Sequence, residues 1–149
     1  MKLFVVCSIE LGLNSGPSVV VAEHSENLAR LGNQVTLFAP KYGYEGNLER
    51  VETVKIACGS SLHLSKLLYQ VLLLLTLACR IIWDRPDCLL VRHSIVNFGF
   101  FLPAQLFKVP FVLLVPAEPV EEMKLDTRYI PRPYLTFFNR LQALLFHRA

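Results

Sequence analysis

The feature that most constrains this chain is an alternation of short, continuous apolar runs with stretches of helical length. The runs are "KLFVVCS" (2–8), "NQVTLFAP" (33–40), "VKIACG" (54–59), "RPDCLLVRHS" (85–94, a turn and a strand) and "VPFVLLVP" (109–116). Most are too continuous for a half-exposed strand and predict strands buried on both faces, as in a parallel sheet. Between them the pattern predicts helices over about 17–31 and 64–83, and one over 96–108 that breaks or begins near Pro103. A last helix is expected over 133–148. Pro17 suits a first helical position and Gly32 a helix stop. Strands separated by helices need right-handed crossovers, which place helices on both faces. The expected fold is therefore α/β, a doubly wound, Rossmann-like parallel sheet. With 149 residues, no internal repeat and no linker, it is expected as one domain over 1–149.

In such a sheet, ligands bind outside the carboxyl ends of the strands. The residues to weigh are thus 8–16, 40–46, 59–61, 92–94 and 116–118. The first loop contains Gly12 and Gly16 but fails the specific nucleotide tests. It has no GxGxxG, and Gly16 is followed by Pro17-Ser18 where a Walker loop needs Lys and Ser/Thr. The second strand ends in Ala39, Pro40 and Lys41, with no acidic residue for a ribose. What remains is a Ser/Gly loop opening a helix, whose backbone N–H groups and dipole can approach an anion. A plain strand-to-helix turn is the competing reading.

Arg92 and His93 are the best polar pair, a phosphate or carboxylate fork beside a group that titrates near neutrality. A salt bridge and a rim histidine would look the same. Glu118, Glu121 and Glu122 are candidates for a base or for binding sugar hydroxyls, against a solvated acidic turn. His24 reads as a surface residue, and His63 and His147 lack ligand-spaced partners, so no metal site is expected.

Composition adds a further constraint. Apolar residues make up 53% of the chain and charged residues 18%, an apolar balance for a soluble domain. A sheet covered on both faces, a surface lacking its partner, or membrane contact would each explain it. "LSKLLYQVLLLLTLACRIIW" (64–83) approaches the length of a membrane span. Lys66, Gln70, Thr76 and Arg80 nevertheless share one stripe, interrupted only by Leu73. That pattern predicts a sheet-packed helix with a thin polar edge toward solvent. The four cysteines lack CxxC spacing and lie in apolar runs, which predicts buried reduced thiols in a cytosolic setting. The net charge of +3 sits in the tail (Arg128, Arg132, Arg140, Arg148), far short of a nucleic-acid stripe. That basic, aromatic tail can rest on an anionic membrane or simply pack as a helix.

In order and spacing, "MKLFVVCSIELGLNSGPSVVVAEHSENLARLGNQVTLFAP", "RPDCLLVRHS" and "LFKVPFVLLVPAEPVEE" resemble the N-terminal domain of GT-B, family-4-like, retaining glycosyltransferases. The resemblance covers nearly the whole chain. It implies an acceptor-side domain of an enzyme that moves a sugar from a nucleotide-sugar to an acceptor hydroxyl. Asn14, Ser15 and Gly16 stand at the place of the donor-phosphate loop, without the family's frequent Gly-Gly pair. Arg92, His93, Glu118 and Tyr42 are the expected acceptor-binding residues; Arg92, His93 and Glu118 are also the catalytic candidates. At Pro116-Ala117-Glu118 the family's His-Gly turn is missing, which speaks against a histidine role there. The resemblance places the donor-binding domain, with its Glu-x7-Glu motif, beyond this chain. The chain is then expected to be truncated, to bind no cofactor alone and to be inactive alone. The expected partners are a nucleotide-sugar, a glycan or lipid-linked acceptor, and the donor domain in cis or as a separate chain. The expected location is cytoplasmic, or peripheral at the inner face of a membrane. Three rivals stand beside this reading: a non-catalytic docking subunit of a split glycosyltransferase, a generic α/β nucleotide-binding module, and a small membrane protein spanning at 64–83.

Overall fold

The computed structural model describes residues 1–8, 16–41, 48–58, 64–92 and 99–114, all within one compact unit, Met1–Leu114. Five strands, β1 (Lys2–Val6), β2 (Gln34–Lys41), β3 (Val51–Ala57), β4 (Cys88–Arg92) and β5 (Phe111–Leu114), form one sheet in the order β3-β2-β1-β4-β5. Every pairing is parallel. Three helices connect them: α1 (Gly16–Arg30), α2 (Leu64–Trp83) and α3 (Phe101–Leu106). This is the doubly wound, Rossmann-like arrangement that the alternating pattern calls for.

The two-residue period of a strand sorts the core into two layers. Leu3, Val5 and Cys7 join Val35, Leu37 and Ala39 beneath α1, which contributes Val21 and Ala29. Phe4 and Val6 join Phe38, Leu89 and Val91 beneath α2 and α3. Both sets are almost fully buried, so the central strands read as unbroken apolar runs. α1 ends in a Schellman motif. Gly32 takes φ +85°, its N–H bonds the Ala29 carbonyl, and the Asn33 N–H bonds that of Leu28.

Three expectations need correction. β3 begins at Val51 rather than 54, because Val51–Thr53 pair with Val35–Leu37 despite their polar composition. The helix expected over 96–108 is described only from Phe101 to Leu106. Pro103 lies in its first turn, where its missing N–H leaves no intrahelical bond unmade. The polar stripe of α2 does not form a solvent edge: Gln70 faces inward, and Thr76 and Arg80 are half-buried. Gln70 is 1% exposed and lies beside buried Tyr69, Leu73, Leu77 and Ile81, while Leu67, Leu68, Val71, Leu75, Ile82 and Trp83 face outward. Arg80 turns toward the sheet edge and pairs with Glu52 of β3. Among the described residues, no helix is long and apolar enough to cross a membrane.

The cysteines also divide. Cys7 and Cys58 are buried as expected, but Cys79 is exposed on α2 and Cys88 is only half-buried. The tail helix expected over 133–148 lies outside the described residues.

Candidate functional site

Strand order reverses between β1 and β4: β1 leads to β2 on one side, and the chain later returns to place β4 on the other. Such a switch point opens a crevice at the carboxyl ends of the two strands. Val6 of β1 stands opposite Val91 of β4, so Cys7 and Arg92 are the next residues on adjoining strands. Arg92 is 7% exposed and closes β4, placing a permanent cation at the switch point.

Two side chains from the start of α2 organise this end of the sheet. The Tyr69 hydroxyl donates to the Cys7 carbonyl at 2.5 Å, tying α2 to the end of β1. Gln70 uses both ends of its amide: Nε2 donates to Ser8 Oγ at 3.2 Å, and Oε1 accepts from the Gly99 N–H at 2.9 Å. One buried side chain therefore links the segment leaving β1 to the segment entering α3. Gly99 is required for this approach, since a Cβ there would lie 2.4 Å from the Gln70 carbonyl oxygen. Together these contacts tie the end of β1 and the entry to α3 to one helix at the carboxyl edge of the sheet.

Of the residues singled out from sequence, the structure places Arg92 at the switch point. Gly16 is the first residue of α1, which follows β1. Asn14, Ser15, Tyr42, His93 and Glu118 lie outside the described residues, as do Glu121, Glu122, His63 and His147. His24 is exposed on α1, as its reading as a surface residue requires. Among the described residues, no group of three or more His, Cys, Asp or Glu is placed to hold a metal. Sequence reasoning missed Tyr69, Gln70 and Gly99. A signal was present: Gln70 is the one amide in a long apolar helix and lies one turn from Leu73, which is fully buried.

No protein-family model and no curated protein matches the sequence. Solved structures do match in fold. The structure of TcCGT1 in complex with UDP aligns with a TM-score of 0.56 at 19% identity, over 87% of this chain and 32% of that one. The structure of the glycotransferase of kitacinnamycin aligns with a TM-score of 0.56 at 18% identity, over 93% of this chain and 38% of that one. The chain thus spans about a third of the length of each of these proteins.

Proposed function

We propose that this chain is the acceptor-side, N-terminal domain of a GT-B glycosyltransferase of the retaining, family-4-like kind. The observation that carries the glycosyltransferase part of this reading is the fold likeness to a glycotransferase across 93% of this chain but only 38% of that protein; the retaining, family-4-like and acceptor-side parts rest on the sequence resemblance. A match of that shape leaves room for a second domain, in cis or on a separate chain. The UDP in the TcCGT1 structure supports a nucleotide-sugar donor for the complete enzyme.

In the proposed reaction the acceptor oxygen forms a bond to the sugar's anomeric carbon. The bond from that carbon to the nucleoside diphosphate breaks, and the acceptor hydroxyl gives up its proton. Charge grows on the departing diphosphate, so fixed donors and cations at the cleft accelerate the step. Asn14, Ser15 and Gly16, the stretch of sequence that leads into α1, are assigned backbone N–H groups on the donor-phosphate side. Arg92 supplies a cation at the switch point. His93, Glu118 and Tyr42 are assigned to the acceptor, and His93 and Glu118 are the candidates for moving its proton. The acceptor is a glycan or a lipid-linked sugar. In the second case, the basic tail (Arg128, Arg132, Arg140) brings the protein to the inner face of a membrane.

The test is transfer of radiolabelled sugar from UDP- and GDP-sugars by the native protein, isolated with whatever domain or chain accompanies it. Transfer is expected, with Arg92→Gln lowering it at least tenfold per molecule of folded protein. Absence of transfer from every donor tried, or an unimpaired Arg92→Gln protein, would count against these assignments.

A further inference from the structure

We propose that the outer surface of α2, extended by α3, docks on an anionic lipid bilayer, with both helices lying in the plane of the interface. The proposal deepens the membrane contact suggested above and rests on that part of the reading, but it assigns the contact to different residues.

The first observation is that α2 is apolar on its outer side as well as its inner one. An ordinary surface helix shows its polar stripe to water. Here Gln70 faces inward and Arg80 turns to the sheet edge, while Leu67, Leu68, Val71, Leu75, Ile82 and Trp83 face outward and are 45–88% exposed. α3 packs into the same layer through buried Pro103 and Ala104 and leaves Leu102 and Leu106 exposed at 57% and 69%. Eight large apolar side chains are thus exposed on two helices of one layer, a concentration that marks an interaction surface.

The occupant follows from the chemistry around that patch. A protein partner ordinarily meets polar groups and about one hydrogen bond per 100–200 Å². The exposed positions from 67 to 82 offer only aliphatic side chains and the Cys79 thiol. Hydrocarbon asks for no hydrogen-bond partners. At the far end of α2 the character changes to what an interface with lipid headgroups favours. Trp83 is 88% exposed, and an indole there sits at the headgroup level. Arg85 donates to the carbonyls of Phe107 and Lys108 at 3.1 and 3.4 Å, which joins the ends of α2 and α3 and gathers two cations there. Asp84 pairs with Lys2 and Glu52 with Arg80, whereas Asp87 bonds only the neutral backbone N–H of Lys2, so Lys2, Arg80, Arg85 and Lys108 outnumber Asp84, Glu52 and Asp87 by one charge. The excess charge at this end is positive, complementary to an anionic surface. No described helix is long and apolar enough to span, and the inner side of α2 is committed to the sheet. Lying flat remains.

Trp83 is the only tryptophan, so the protein carries its own reporter. The full chain would be titrated with vesicles of phosphatidylcholine, with and without 30% phosphatidylglycerol (roughly the anionic content that recruits basic surfaces). Trp83 emission should shift to the blue and be quenched by brominated acyl chains, more strongly with the anionic vesicles. Leu75→Glu/Ile82→Glu should weaken binding at least tenfold while circular dichroism stays unchanged. Leu75→Ser/Ile82→Ser is the fallback should the charged pair not fold. Arg85→Gln/Lys108→Gln should remove the preference for anionic lipid. Binding that survives the α2 substitutions but is lost in Arg128→Gln/Arg132→Gln/Arg140→Gln would overturn this assignment and leave the tail contact standing. Absence of vesicle binding would also overturn it. If a concentration-dependent dimer were then broken by Leu75→Glu/Ile82→Glu, the face would belong to a second copy.

Discussion

Gln70 satisfies a donor and an acceptor on two different segments, so its removal strands both. Gln70→Leu leaves the Gly99 N–H buried without its acceptor and should cost about 1–3 kcal/mol in urea unfolding. Gly99→Ala drives a methyl group into the Gln70 carbonyl and should cost a similar amount, about 1–3 kcal/mol. The two effects should couple without cancelling, because one removes the side-chain hydrogen bond between residues 70 and 99 and the other mainly meets the main-chain carbonyl of residue 70. Cys88 offers a pH test. Burial raises its thiol above the ordinary range, against a smaller lowering from a backbone hydrogen bond with Val112. The unfolded thiol therefore ionises first. The contribution of Cys88 is full below the ordinary thiol range and is lost as pH rises through the folded value. Wild type should lose more stability than Cys88→Ala between pH 7 and pH 10. Cys79, exposed on α2, should alkylate faster than Cys88 at pH 8.

At the scale of elements, α2 has two apolar sides with opposite roles. Leu73 is fully buried against the sheet and Leu75 is 55% exposed. Leu73→Ala should therefore cost about 2–5 kcal/mol, as cavity-forming substitutions do. Leu75→Ala should stay within about 0.5 kcal/mol. Equal effects would contradict the orientation of the helix. The bounds of α2 were legible in the sequence because its apolar run is long and ends in "DRPD", but its orientation was not. With apolar residues all round, a sparse polar stripe fits either side, and here the amide of Gln70 found buried partners at the end of β1 and at Gly99. The bounds of α3 were hidden for a different reason. It ends in a Schellman motif whose left-handed position is held by Lys108 at φ +51°, where a reader looks for glycine. Lys108→Gly should stabilise the protein, by up to about 1 kcal/mol in thermal unfolding.

For the whole molecule, the parallel sheet and its crossovers were legible because Val, Ile, Leu and Phe runs buried on both faces have few alternatives. The switch point follows from strand order, which only the structure shows, whereas Arg92 was found because it stands at the carboxyl end of a strand. Tyr69 and Gln70 were not, because they approach from a helix that a strand-end rule does not consult. The central claim is that these residues form the acceptor side of a two-domain transferase. The most direct measurement reads the native gene past codon 149. The account predicts an open frame that continues into a second Rossmann-like domain with a Glu-x7-Glu segment, or else a stop codon and a co-purifying chain that carries such a domain. A stop codon after Ala149 with no such chain in the native complex would contradict it.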